Sequence, residues 1–128
     1  MAYNILIVDD SLTMRKVIHK CIVLSGFDMG DCWEAGDGQE ALAVLRAQGV
    51  DLILSDLNMP EMNGRALFQE LKKDENLRRI PVLFITTFGR EKAMPDGAEM
   101  EIQGYIQKPF HPEMIRDSLE RILEKKVV

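Results

Sequence analysis

Three aspartates, a threonine and a lysine each follow a short apolar run, and as a set they have the chemistry to hold a divalent cation and a phosphoryl group. Tyr3 to Val8 leads into Asp9-Asp10, Leu52 to Ser55 into Asp56, Val82 to Ile85 into Thr86, and Gly104 to Gln107 into Lys108-Pro109. A carboxylate can accept a phosphoryl group as an acyl phosphate. The incoming group is negative, so an isolated carboxylate repels it, and a bridging cation removes that repulsion. Mg²⁺ suits carboxylates at Asp9, Asp10 and Asp56, because it takes one or two of them and fills its octahedron with water and phosphate. The Thr86 hydroxyl can donate to a phosphoryl oxygen, and Lys108 brings a mobile point charge. Singly these residues are ordinary: paired aspartates cap helices, threonines end strands and lysines lie on surfaces. Their joint placement is what points to chemistry.

For these endings to meet, the apolar runs must be neighbouring parallel strands. Runs of this length separated by helical segments have that character, and in an open α/β sheet the ligand crevice lies beyond the carboxyl ends of the strands. The chain reads as strand then helix, five times over. Ser11 is placed to cap a first helix, with Met14, Val17, Ile18, Cys21 and Ile22 as its inward stripe, His19 facing solvent and Gly26 closing it. A second strand falls within Phe27 to Glu34, where Gly30 marks a bulge. Asp37-Gly38 turns into a second helix with Ala41, Leu42 and Leu45 inward, ended by Gly49. Gly64, Leu67, Phe68 and Leu71 define a third helix. Pro112, Ile115, Ser118, Leu119 and Ile122 define the last. Between Thr87 and Gly104 only Arg90 to Met94 looks helical, since Pro95-Asp96-Gly97 stops a helix. The fourth helix is therefore expected to be short or distorted.

A chain of 128 residues without linker, repeat or low-complexity tract is read as one domain, 1–128. Its net charge of −5 argues against a nucleic-acid partner bound through a basic face. No apolar stretch approaches the roughly 20 residues of a membrane span, and the amino terminus lacks a signal-peptide pattern. Cys21 and Cys32 are the only cysteines, and with no companion ligand at metal spacing they read as reduced packing residues of a cytoplasmic protein.

Asp9-Asp10, Asp56-Leu57-Asn58-Met59-Pro60, Thr86 and Lys108-Pro109 together resemble the signature of two-component response-regulator receiver domains, along essentially the whole chain. The resemblance implies a flavodoxin-like, doubly wound five-stranded parallel sheet in the order 2-1-3-4-5 with five helices. It implies that Asp56 is the phosphoacceptor, supplied by a histidine kinase phosphohistidine. Asp10, Asp56 and the backbone carbonyl of Asn58 would then hold Mg²⁺ directly, with Asp9 reaching it largely through water. Thr86 and Lys108 would grip the phosphoryl oxygens. Tyr105 matches the family's aromatic switch position, turning inward as Thr86 moves. Such a protein is a phosphoacceptor with self-catalysed transfer and slow autodephosphorylation, not a classical enzyme.

Asp10 to Lys16 is similar to the same segment of chemotaxis receivers, which implies a stand-alone protein that signals by docking to a target such as a flagellar motor switch; a monomer is the default expectation. The Pro95-Asp96-Gly97 interruption and the bulky Phe88, two residues past Thr86, depart from that pattern. A phosphorelay intermediate passing its group to a phosphotransfer protein is the alternative. A pseudo-receiver or an aspartate-nucleophile phosphatase ranks below both, the latter because Asn58 stands where such enzymes carry a general acid.

Overall fold

The computed structural model describes residues 2–56, 64–86 and 104–127, with the side chains at 64, 65, 86, 105 and 124–127 outside that description. Five strands form one sheet: β1 (Tyr3–Val8), β2 (Met29–Ala35), β3 (Leu52–Ser55), β4 (Val82–Thr86) and β5 (Gly104–Gln107). The helices among the described residues are α1 (Leu12–Ser25), α2 (Gly38–Ala47), α3 (Gly64–Lys73) and α4 (Pro112–Val127). The strands lie in the order β2-β1-β3-β4-β5 and every pairing is parallel. Among the described residues no helix is long and apolar enough to cross a membrane. The segment expected to hold a short helix at Arg90 to Met94, along with Phe88 and Pro95-Asp96-Gly97, lies outside the described residues.

The strands are apolar on both faces because helices cover both. Side chains alternate across a strand. Leu6, Val8, Ile53, Val82 and Phe84 therefore pack with Ala41, Leu42, Leu45, Leu67, Phe68 and Leu71 of α2 and α3. Their neighbours Ile5, Ile7, Leu52, Leu54, Leu83 and Ile85 pack on the opposite side with Ile18, Ile22, Ile115, Leu119 and Ile122 of α1 and α4. This two-sided burial is why the strands read as continuous apolar runs instead of alternating ones.

Local signals behave as their chemistry dictates. The Ser11 side chain accepts from the Met14 N–H to cap α1, and Asp37 does the same for α2 through Glu40. Gly26 ends α1 at φ +80, a left-handed conformation that glycine takes without strain. The bulge in β2 is present: Tyr3 pairs with Met29 but Ile5 with Cys32, so β2 carries one extra residue. A Cβ on Gly30 would lie 2.5 Å from Asn4 Oδ1, and that oxygen accepts from the Asp31 N–H. A larger residue there would have to displace the Asn4 side chain and break that bond.

Three details of the helical reading change. Val17, expected in the inward stripe of α1, is 43% exposed, while Ser25 is buried. The helix turns its Ile18, Ile22 and Ser25 line to the sheet, which rotates Val17 outward and leaves His19 half-buried instead of facing solvent. The carboxyl end of α2 is formed by Gln48 in extended conformation, its N–H bonded to the Val44 carbonyl, so Gly49 follows the helix without capping it.

Candidate functional site

Strand register brings the chemical residues to one rim. Val8 pairs with Ser55, so Asp9 and Asp56 leave the sheet at the same level. The Asp56 N–H donates to the Val8 carbonyl (2.9 Å), tying the two chain segments together at that point. One strand further, Thr86 pairs with Gln107, the residue before Lys108. The fan of parallel strands thus delivers Asp9-Asp10, Asp56 and Lys108 to a shared crevice.

The distances are those of a single cluster. One carboxylate oxygen from each of Asp9, Asp10 and Asp56 lies within 4.8 Å of the others. Lys108 Nζ stands 3.6 Å from Asp9 Oδ2 and 3.8 Å from Asp56 Oδ2. These side chains are well shielded, at 15% exposed for Lys108, 13% for Asp56 and 3% for Asp9. Asp10 is exposed at the mouth. Burial therefore makes Asp9 the acid most withdrawn from bulk water.

Asp9 is held on almost every polar atom. Its N–H donates to the Ala35 carbonyl (3.0 Å), its carbonyl accepts from Arg15 Nη1 (2.7 Å), and its Oδ1 accepts from the Ser11 N–H (2.9 Å). Its Oδ2 is buried with no hydrogen-bond partner among the described residues. A buried carboxylate oxygen without a donor is costly. A hard cation in the crevice satisfies it, and three carboxylates crowded together favour one for the same reason. The donor set thus fits Mg²⁺.

The elements around the cluster supply further order. Ser55 Oγ donates to the Asp56 carbonyl (2.9 Å). Arg15 and Lys16 both reach Glu34 on β2, at 2.9 Å and 3.4 Å. Burial pushes the Glu34 carboxyl up, but the hydrogen bonds from Arg15 and Lys16 outweigh it and hold the group below the usual carboxylate range. Cys32, beside them on β2, is driven the other way, to about 11, by burial and by the nearby Glu34 charge. Burial likewise raises Cys21. Both thiols are free and pack against the α1–α4 core, as expected of packing residues.

Of the residues singled out in the sequence, Asp9, Asp10, Asp56 and Lys108 come together. Thr86 lies at the carboxyl end of β4 and Tyr105 in β5 opposite Phe84, with their side chains outside the description. Asn58 is outside the described residues. The Arg15 contact with Asp9 and its pair with Glu34 had no motif to announce them; the available signal was a basic residue one helical turn past the Ser11 cap. Beside Lys108 an apolar hollow of about 430 Å³ opens between Met14, Val17, Pro109 and Phe110.

The sequence and the fold both match known proteins. The family model for the response regulator receiver domain matches residues 5–120. The chain is a response regulator receiver. The receiver is 36% identical over 122 residues to the chemotaxis protein CheY of Pseudomonas aeruginosa, covering 95% of this chain and 97% of that one. It is 36% identical to the chemotaxis protein CheY-3 of Vibrio cholerae, covering 95% and 92%. Among solved structures, the Vibrio cholerae chemotaxis protein CheY4 superposes with a TM-score of 0.83 at 30% identity, covering 95% of the receiver and 99% of that chain. The receiver domain of a Syntrophus aciditrophicus signal transduction histidine kinase superposes equally well, at 0.84 and 31% identity over 97% and 92%. The receiver is therefore CheY-like, with the flavodoxin-like strand order its sequence implied. Its family is one of signalling proteins.

Proposed function

We propose that this receiver, as one domain over residues 1–128, takes a phosphoryl group from a histidine kinase onto Asp56 and signals through the resulting change of shape. The observation that carries this reading is that Asp56 lies in the acidic cluster with Asp9 and Asp10 and 3.8 Å from Lys108. In the transfer, an Asp56 carboxylate oxygen forms a bond to phosphorus as the phosphorus–nitrogen bond of phosphohistidine breaks, and the imidazole leaves with that electron pair. Mg²⁺, when bound, neutralises the charge that gathers between acceptor and phosphoryl oxygens.

The chain's own residues do the rest. Asp10 and Asp56, with the Asn58 carbonyl, would hold the cation, and Asp9 would reach it largely through water. Lys108 Nζ, now shared between Asp9 and Asp56, moves to the phosphoryl oxygens once Asp56 carries them. By the family likeness the Thr86 hydroxyl would take a second of these oxygens, and Tyr105 would turn inward as Thr86 moves. The likeness to chemotaxis proteins supports a downstream docking target of that type, such as a motor switch, for a monomer working in the cytoplasm.

Phosphotransfer profiling tests this. Incubation with labelled histidine kinases, and separately with acetyl phosphate and Mg²⁺, should load one phosphate labile to alkali and hydroxylamine, and Asp56→Asn should load none. Steady turnover of phosphate without a loaded form would indicate a phosphatase instead, and neither loading nor a change of shape would indicate a pseudo-receiver.

A further inference from the structure

We infer that Arg15 is a positioning residue for the acidic cluster, aiming the buried Oδ2 of Asp9 into the crevice through a relay that begins at Glu34. The inference rests on the Mg²⁺ reading above and adds to it a residue outside the loop ends that the motifs mark.

The guanidinium does two things at once. Nε donates to Glu34 Oε1 at 2.9 Å and Nη1 donates to the Asp9 carbonyl at 2.7 Å. The side chain is 17% exposed and Glu34 24%, so both groups are largely shielded from competing water. Glu34 lies on β2 where it pairs with Ile7 of β1, two residues before Asp9. The relay therefore starts and ends on adjacent strands of the rigid sheet and passes through the first turn of α1. Lys16 also reaches Glu34, at 3.4 Å, and helps to hold the carboxylate that orients the guanidinium.

Arg15 completes a clamp on Asp9. The Ala35 carbonyl holds its N–H, Arg15 its carbonyl, and the Ser11 N–H its Oδ1. Only Oδ2 is left to face Lys108. Among the described residues, Arg15 alone donates to the Asp9 carbonyl, the oxygen of the peptide between Asp9 and Asp10. Without it, both acidic side chains lose orientation together. A planar, bidentate donor suits this role and an ammonium does not, because one nitrogen must reach Glu34 while another reaches the carbonyl.

Charge and position predict opposite signs, and that makes the test decisive. Arg15 is a cation beside a cation site. If only its charge mattered, deleting it would tighten Mg²⁺ binding. If it positions the ligands, deleting it weakens binding, by about tenfold for an outer partner of this kind. A purely structural role would lower the melting temperature of metal-free protein and leave affinity for Mg²⁺ unchanged.

The experiment is calorimetric titration of the full chain with MgCl₂, alongside melting in EDTA. Arg15→Met should bind Mg²⁺ about tenfold more weakly. Arg15→Lys should fall between it and the parent. Glu34→Gln should weaken binding in the same direction, and Arg15→Met combined with Glu34→Gln should be no weaker than Arg15→Met alone. Unchanged or tighter binding by Arg15→Met overturns the inference, as does an additive double variant. If Arg15→Met does not fold, Arg15→Lys decides the matter, because it keeps the charge and loses the planar fork: weaker Mg²⁺ binding supports positioning and unchanged binding overturns it. A parent protein that binds no Mg²⁺ would defeat the proposed function itself, a result distinct from any of these.

Discussion

Neutralising Asp10 should make the metal-free protein more stable. Asp10 shares the crevice with Asp9 and Asp56, one oxygen from each lying within 4.8 Å of the others. Two unit charges at that separation repel by about 0.9 kcal/mol at the dielectric of water and about 3.5 kcal/mol at an effective value near 20. Asp10 is exposed, so the watery limit applies. Lys108 contacts Asp9 and Asp56, and no ion pair to Asp10 is seen among the described residues, so little offsets its repulsion. Asp10→Asn removes two such pairs and should stabilise the metal-free protein by about 2 kcal/mol, or roughly 4 to 8 °C of melting temperature. Calorimetry in EDTA at low salt reads this directly, and the gain should shrink as salt screens the cluster. Added MgCl₂ should raise the melting temperature of the parent, because a ligand that binds only the folded state stabilises it, and should barely move Asp10→Asn. An Asp10→Asn protein that melts at or below the parent in EDTA would refute the repulsion reasoning. One that still gains fully from MgCl₂ would remove Asp10 from the cation site.

Other consequences are separate. Cys32, pushed up to about 11, should react with iodoacetamide at pH 8 roughly two orders of magnitude more slowly than an unperturbed thiol, read by mass spectrometry of the folded protein. Because the Glu34 carboxyl is held below its unfolded value, its ion pairs stabilise the fold above about pH 4.3 and lose that effect as pH falls through the lowered value. The stability gap between parent and Glu34→Gln should thus be constant near neutrality and close in acid, as denaturant titrations across pH would show. Gly104→Val should destabilise by about 1–3 kcal/mol, since even a Cβ there lies 2.7 Å from Leu83 and 2.8 Å from Ile122 in the packed core.

The sheet was legible because each strand is a buried apolar run and each run ends in a polar residue at the same rim. The apolar runs gave β1, β3 and β5 their observed limits and placed β4 one residue short, and the awkward pattern after Phe27 correctly signalled the bulge at Gly30. Asp9, Asp10, Asp56 and Lys108 were legible as a site for the same reason: topology converts strand ends into neighbours. Val17 and His19 were misplaced because an apolar residue at helical spacing looks inward whichever way the helix is rotated. That rotation is set by how Ile18 and Ile22 seat against Ile5 and Ile7, a contact between elements. Arg15 went unnoticed for a related reason. Its partners are a backbone carbonyl six residues before it and a carboxylate nineteen residues after it. No local pattern encodes either.

The central claim is that the cluster of three aspartates and Lys108 is built to load a phosphoryl group on Asp56. The most direct test is to phosphorylate the protein with acetyl phosphate and Mg²⁺, trap the acyl phosphate by borohydride reduction, and locate the reduced residue by peptide mass spectrometry. The prediction is modification at position 56 alone, abolished by EDTA. Modification at Asp9 or Asp10, or loading that proceeds equally in EDTA, would contradict it.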